Sequence, residues 1–163
     1  MYQITPSSFN VLYQFDRTHG ANPFAALTQG TDGNLYGTTA YGAGDGTVFT
    51  ITTTGGLTTL YTFDNTHGAG PVAPLVEGSD GNFYGTAING GANNHGVAFK
   101  ITSSGELTVL HDFDGTDGDA PAAGLIQATD SNFYGTASAG GTLSYGTIFR
   151  VSPKGRVQRP LRL

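Results

Sequence analysis

Apolar residues in this chain come in short runs broken by Thr, Gly and Asp, and no segment keeps the spacing of a helix. Val48-Phe49-Thr50-Ile51 is one such run, and Leu57-Thr58-Thr59-Leu60-Tyr61-Thr62-Phe63 is the next. Thr, Tyr, Phe, Val and Leu fill these runs, and such side chains suit a pleated surface. Between them stand Asp-Gly-Asn and Thr-Gly-Gly, whose Gly and Asn tolerate the positive φ of hairpin turns. The pattern predicts short antiparallel strands at about 24–30, 33–40, 46–53 and 56–63. Phe49 and Ile51 fall on one face of their strand and Val48 on the other, so the sheet needs cover on both sides.

The pattern recurs. Thr31-Asp32-Gly33-Asn34-Leu35-Tyr36-Gly37-Thr38 returns as Ser79-Asp80-Gly81-Asn82-Phe83-Tyr84-Gly85-Thr86 and again as Thr129-Asp130-Ser131-Asn132-Phe133-Tyr134-Gly135-Thr136. Val48-Phe49-Thr50-Ile51 returns at Ala98 to Ile101 and at Ile148 to Val151. Leu12-Tyr13-Gln14-Phe15-Asp16 returns at Leu60 to Asp64 and at Leu110 to Asp114. Three anchors in one order define a repeat of roughly 50 residues, the scale of propeller blades.

Face-to-face stacking of four-stranded blades covers a sheet that is apolar on both sides. The expected fold is therefore all-β: a β-propeller-like array of about three four-stranded antiparallel blades, an incomplete ring as a monomer. A β-solenoid or stacked sandwich is the other architecture considered, though its rungs are usually shorter. Residues 2–15 form a partial blade (Tyr2–Thr5 and Asn10–Phe15), 24–63 blade 1, 72–113 blade 2, and 122–163 blade 3. The last strand of blade 3 is degenerate, because Pro160 falls where Leu60 and Leu110 sit and proline cannot donate to a ladder. Three blades cannot close a ring, since propellers typically carry about four to eight. The expectation is self-association or neighbouring repeats of a longer chain, with Asn10–Phe15 of one copy able to supply another copy's outer strand. Two chains give about six blades, and a head-to-tail contact that fails to close gives a filament.

Composition narrows the chemistry. The 163 residues contain no cysteine, which excludes disulfides, zinc thiolates and thiol nucleophiles. A formal net charge of −5 argues against a nucleic-acid groove. No apolar run is long enough to insert into a membrane as a helix. Met1-Tyr2-Gln3-Ile4-Thr5-Pro6 has neither the basic start nor the apolar stretch of a signal peptide. The chain therefore works inside the cell or is a piece of a longer secreted protein.

Asp-Gly-Asn-(Leu/Phe)-Tyr-Gly-Thr, then Gly-Thr-Val-Phe-x-Ile-Thr and Leu-x-x-Leu-Tyr-x-Phe-Asp, resembles the GloVer tandem repeat of large bacterial surface or secreted proteins. The resemblance runs from Val11 to about Val157. It implies an extracellular or cell-surface, propeller-like β protein and supplies no activity.

Propeller geometry sorts the loops. The strand 1→2 and 3→4 turns are short and share one face; the 2→3 and 4→1 loops are long and share the other. On the long-loop face the candidate ligand-binding residues are Asp16 with His19, Asp64 with His67, Asp114 with Asp117, and His95. They form either three equivalent polar pockets or turn-capping Asp residues. His111, at the Tyr13 and Tyr61 position, reads as a packing substitution. Asp114-Gly115-Thr116-Asp117-Gly118-Asp119 is rich in carboxylates but lacks the EF-hand spacing, so no metal is assigned. Tyr36, Tyr84 and Tyr134 could stack on sugars but read as buried. No hydrolase, metalloprotease, phosphate-loop or dinucleotide motif is present, and no cofactor is expected. The expectation is a non-catalytic repeat scaffold or binding module, presenting loops to protein or carbohydrate. The alternatives are a purely structural self-assembling repeat and a propeller-type polysaccharide lyase or hydrolase.

Overall fold

The computed structural model describes residues 10–155. Eleven strands lie among them and no helix: β1 Thr28–Gln29, β2 Leu35–Thr39, β3 Thr47–Ile51, β4 Leu57–Thr62, β5 Val76–Glu77, β6 Phe83–Ala87, β7 Val97–Ile101, β8 Leu107–Asp112, β9 Ile126–Gln127, β10 Phe133–Ala137 and β11 Thr147–Val151. They form three antiparallel meanders in the order β1-β2-β3-β4, β5-β6-β7-β8 and β9-β10-β11. Each meander is a blade, and the array is not closed. Tyr2–Thr5 and Pro160 lie outside the described residues.

The first strand of every blade is shorter than its sequence suggests. Thr28 pairs with Tyr36, but the next pairing is Ala21 with Tyr41, so six residues face four across that gap. The same mismatch recurs between Val76–Tyr84 and Ala69–Asn89, and between Ile126–Tyr134 and Asp119–Ala139. The surplus bulges out of the ladder, and Pro23, Pro71 and Pro121 lie in the bulged segments without an N–H to lose. A second irregularity serves packing. Val48 pairs with Tyr61 and Phe49 with Thr59, which leaves Leu60 as an extra residue; Leu110 is the extra residue in blade 2. Both leucines pack into the junction with the following blade.

Aromatic stacking joins the blades. Tyr36 stacks on Phe83 and Tyr84 on Phe133, each pair with ring centroids 3.8 Å apart. Phe63 meets Phe99 edge to face at 5.3 Å, and Phe113 meets Phe149 at 4.9 Å. Hydrogen bonds repeat alongside. Thr38 Oγ1 donates to the Ala73 carbonyl at 3.2 Å, and Thr86 Oγ1 to that of Ala123 at 3.3 Å. Closeness demands glycine at the turn before β8: a Cβ on Gly105 would lie 2.5 Å from the Leu60 carbonyl oxygen, and its φ is +96°.

Residues 10–15 form no strand, yet they sit against blade 1 as the last strand of one blade sits against the next. Phe15 meets Phe49 edge to face at 5.3 Å, as Phe63 meets Phe99. The Leu12 carbonyl lies against Gly55, as that of Leu60 lies against Gly105.

The Asp-x-Asn-x-Tyr hairpin ties the turn to the stack. Asp80 Oδ1 accepts from the Asn82 N–H at 3.2 Å, and Oδ2 accepts from Asn82 Nδ2 and the Tyr84 hydroxyl, both at 2.8 Å. Asp32 and Asp130 repeat this with Asn34 and Tyr36, and with Asn132 and Tyr134. A buried Tyr needs a partner for its hydroxyl, and the turn carboxylate is that partner. The bond from Tyr36 is the largest influence lowering the Asp32 pKa, and bonds from Asn132 lead at Asp130. At Asp80 burial pushes upward, but the bonds from Asn82 and Tyr84 outweigh it. Tyr84 is held well above its ordinary value by burial first and then by Asp80.

These contacts set the expected behaviour of the junction. Tyr84→Phe keeps the stack on Phe133 and loses one hydrogen bond, so urea unfolding should show a loss of about 1 kcal/mol. Phe133→Ala empties the junction and should cost about 3–5 kcal/mol. The turn carboxylates have folded pKa values below their unfolded value of about 3.9, so their stabilisation is present above that pH and lost as pH falls below it. The melting temperature should hold steady from neutral pH to about pH 5 and drop below about pH 4. A melting temperature at about pH 3 equal to that at neutral pH would contradict this account.

Candidate functional site

The long loops are bonded into one belt. Tyr41 N–H donates to the Ala21 carbonyl at 3.1 Å, Asn89 to Ala69 at 3.0 Å, and Ala139 to Asp119 at 3.0 Å, each answered by a bond in the opposite sense. These bonds join the 2→3 loop of a blade to the 4→1 loop that enters it. Others run forward to the next blade: Gly70 N–H donates to the Asp45 carbonyl at 2.8 Å, and Ala120 N–H to that of His95 at 3.1 Å. The 2→3 and 4→1 loops therefore lie side by side, in register from blade to blade.

Within the belt the first two copies share an Asp–His pair. Asp16 Oδ1 accepts from Thr18 Oγ1 at 2.8 Å, Thr18 N–H at 3.0 Å and His19 N–H at 3.1 Å, with His19 Nδ1 also at 3.1 Å. Asp64 Oδ1 accepts from His67 N–H at 3.0 Å and lies 3.0 Å from His67 Nδ1. The Thr18 hydroxyl leads in holding the Asp16 carboxyl well below the usual range, and the His67 N–H leads at Asp64. These carboxylates close Asx-type turns within their own loops. The exposed imidazoles of His19 and His67 stand edge-on to Tyr13 and Tyr61 at 6.2 and 6.4 Å.

The third copy rebuilds the corner. Asp114 keeps its turn, accepting from Thr116 Oγ1 at 2.6 Å, Thr116 N–H at 2.8 Å and Asp117 N–H at 3.1 Å. Those bonds, led by the Thr116 hydroxyl, lower its pKa to about 2. Asp117 replaces the loop histidine, and its Oδ2 lies 2.7 Å from His111 Nε2. His111 is thus more than a packing substitution. It keeps an edge-to-face contact with Phe113 at 4.8 Å, and it also pairs with Asp117. Tyr→His in the strand and His→Asp in the loop are one exchange: an aromatic edge contact becomes a hydrogen bond. Two departures in the same repeat, six residues apart, were the available signal.

His95 joins neighbouring loops. Its Nδ1 lies 3.2 Å from Asp119 Oδ1, and its ring packs beside Gly115. Asp119 figures in the sequence only as part of the carboxylate-rich 114–119 segment and not among the ligand-binding candidates, and Ala21 and Ala69 hold its place in the other copies. The Asp114–Asp119 segment therefore receives both His111 and His95 from blade 2. Among the described residues, no three His, Cys, Asp or Glu side chains gather as a metal-ligand group. Tyr36 and Tyr84 are buried in the stacks and unavailable to a sugar, while Tyr134 is half-buried. The belt offers imidazole edges, amides and loop backbone on a rigid frame: a surface for hydrogen bonding, repeated at blade spacing.

No curated protein sequence matches the chain. Several solved structures share its fold, two of them at a TM-score of 0.55. One is a streptogramin B lyase, with TM-score 0.55 and 22% identity, covering 84% of this chain and 40% of the lyase. The other, from Thermus thermophilus, is described as an oxidoreductase (glucose dehydrogenase), with TM-score 0.55 and 18% identity, covering 84% of this chain and 46% of that one. The chain spans less than half the length of either, and the likeness speaks for a propeller-like fold. The Gloeobacter/Verrucomicrobia repeat model matches residues 1–161. With its repeats, blade junctions and hairpins accounted for, this chain belongs to the Gloeobacter/Verrucomicrobia repeat family.

Proposed function

We propose that this propeller repeat module is a non-catalytic scaffold of a bacterial surface or secreted protein, and that its loop belt is presented to a carbohydrate or protein partner. One observation carries the reading: the change of loop length between the copies falls in the 2→3 loop of the belt, while the hairpins opposite keep their length. Tyr41-Gly42-Ala43-Gly44-Asp45 becomes Asn89-Gly90-Gly91-Ala92-Asn93-Asn94-His95 and then Ala139-Gly140-Gly141-Thr142-Leu143-Ser144-Tyr145. Differing loops on a constant frame are where recognition usually resides. Catalysis calls for one asymmetric constellation of acid, base or nucleophile. The belt instead sets exposed loops of differing sequence at regular spacing, which favours multivalent binding over turnover.

Screening the immobilised chain on a glycan array, alongside candidate protein partners, tests this. Binding should weaken about tenfold or more when His95 and Asp119 are both changed to Ala, and should survive Thr53→Ala on the hairpin face. Binding that maps to the hairpin face would overturn the proposal. So would polysaccharide cleavage abolished by a single substitution.

A further inference from the structure

We propose that the two open ends of the chain are the complementary halves of its own blade junction, so that blade 3 of one copy stacks on blade 1 of a second copy. The inference goes beyond the loop belt and stands whether or not the belt binds a ligand. The large hydrophobic side chains exposed among the described residues belong to the first repeat, the segment before it, or the last repeat; blade 2 contributes none. Position explains this. Val48 and Ala98 are 0% exposed beneath a following blade, whereas Ile148 at the same place in blade 3 is 77% exposed. Leu75 and Leu125 are 4% and 6% exposed beneath a preceding blade, whereas Leu27 is 48% exposed.

The polar contacts of the junction are divided in the same way. Thr38 and Thr86 donate to the carbonyls of Ala73 and Ala123; Thr136 and the Ala25 carbonyl remain as the unmatched pair. Asp45 and His95 carbonyls accept from Gly70 and Ala120 N–H; the Tyr145 carbonyl and the Asn22 N–H remain. Thr31 bonds to the Glu77 carboxylate and Ser79 to the Gln127 amide; Thr129 and Gln29 remain. Gly46 and Gly96 sit where a Cβ would strike Pro71 and Pro121 at 2.7 Å; Gly146 and the exposed Pro23 remain. Tyr36 and Tyr84 stack on Phe83 and Phe133; Tyr134 and Leu35 remain. Each of these unmatched groups on the tail face has its counterpart on the head face, in a pairing the chain already makes twice.

The occupant this selects is another copy of the chain. An apolar hollow of about 310 Å³ on the head face, lined in part by Leu12, Phe15, Leu27 and Phe49, receives the incoming blade. Residues 10–15 already sit there as a last strand sits against the next blade, so the incoming blade places β9–β11 beside them. The contact is head-to-tail, and two chains bring about six blades, within the range that closes a propeller.

Light scattering after size exclusion, over a range of concentrations, tests the contact with Ile148→Asp on the tail face and Leu27→Asp on the head face. Circular dichroism verifies that each variant is folded, and Thr136→Arg with Pro23→Asp form a second pair of exposed positions. The wild-type chain should reach the mass of two chains, and each variant alone should fall to one chain. Mixing I148D with L27D should restore the two-chain mass, because one retains its head face and the other its tail face. Larger masses abolished by either variant would keep the contact and make it an open series. A single-chain mass for wild type at every concentration would overturn the proposal. So would a variant that associates as before, or a mixture that stays at one chain.

Discussion

The stacked Tyr–Phe pair between successive blades is the contact on which the rest of the structure depends. Tyr36 on Phe83 and Tyr84 on Phe133 bring two sheets together at ring-contact distance. That closeness explains the smallness of what surrounds the rings. A Cβ at Gly78 would lie 2.7 Å from the Tyr84 ring and 3.0 Å from that of Phe133. It also explains the turn chemistry, because a buried phenol needs an acceptor and Asp80 supplies it from a hairpin whose shape Asn82 helps to hold. Sheet face, turn sequence and glycine placement thus answer to one requirement: each blade is apolar on both sides and is finished only by its neighbours.

Much of this was legible in the sequence. Period-two runs, turn residues and a recurring Asp-x-Asn-x-Tyr string define blades, and apolar residues on both strand faces demand stacking. Three features were not legible, each for a physical reason. The first strand shrinks to two residues because segments such as 22–27 carry more residues than the ladder opposite can pair. Leu60 and Leu110 leave the pairing register through bulges that alternation cannot reveal, since a bulge moves a side chain to the other face without changing its apolar character. The His111–Asp117 contact joins a strand to a loop across a chain reversal, so each substitution looks trivial by itself.

The candidate site was legible as a place and less so as a chemistry. Asp16, Asp64 and Asp114 do lie in matching loops, but their inner oxygens are engaged by N–H and hydroxyl donors of those same loops. A carboxylate so engaged shapes the loop that displays His19 or His67. His95 is placed differently, because its partner Asp119 belongs to the next blade's entry loop. The belt therefore couples blade packing to loop geometry: a shift at one junction moves the neighbouring loops against each other.

That coupling bears on why repeats of this kind occur in series. A blade junction buries the same surfaces whether its two blades share a chain or come from different chains. The difference lies in the local concentration of the partner blade, which a short linker raises to the order of mM. Within one chain the junction forms without reference to protein concentration; between chains it forms only where chains accumulate. On the proposed contact, three blades with matched ends would have fixed internal junctions and one conditional junction, all resting on nearly the same residues. Side-chain exposure separates them: Val48 and Ala98 are sealed, and Ile148 is open. Because the 2→3 loop of one blade bonds forward to the entry loop of the next, completing the conditional junction would also extend the loop belt across it.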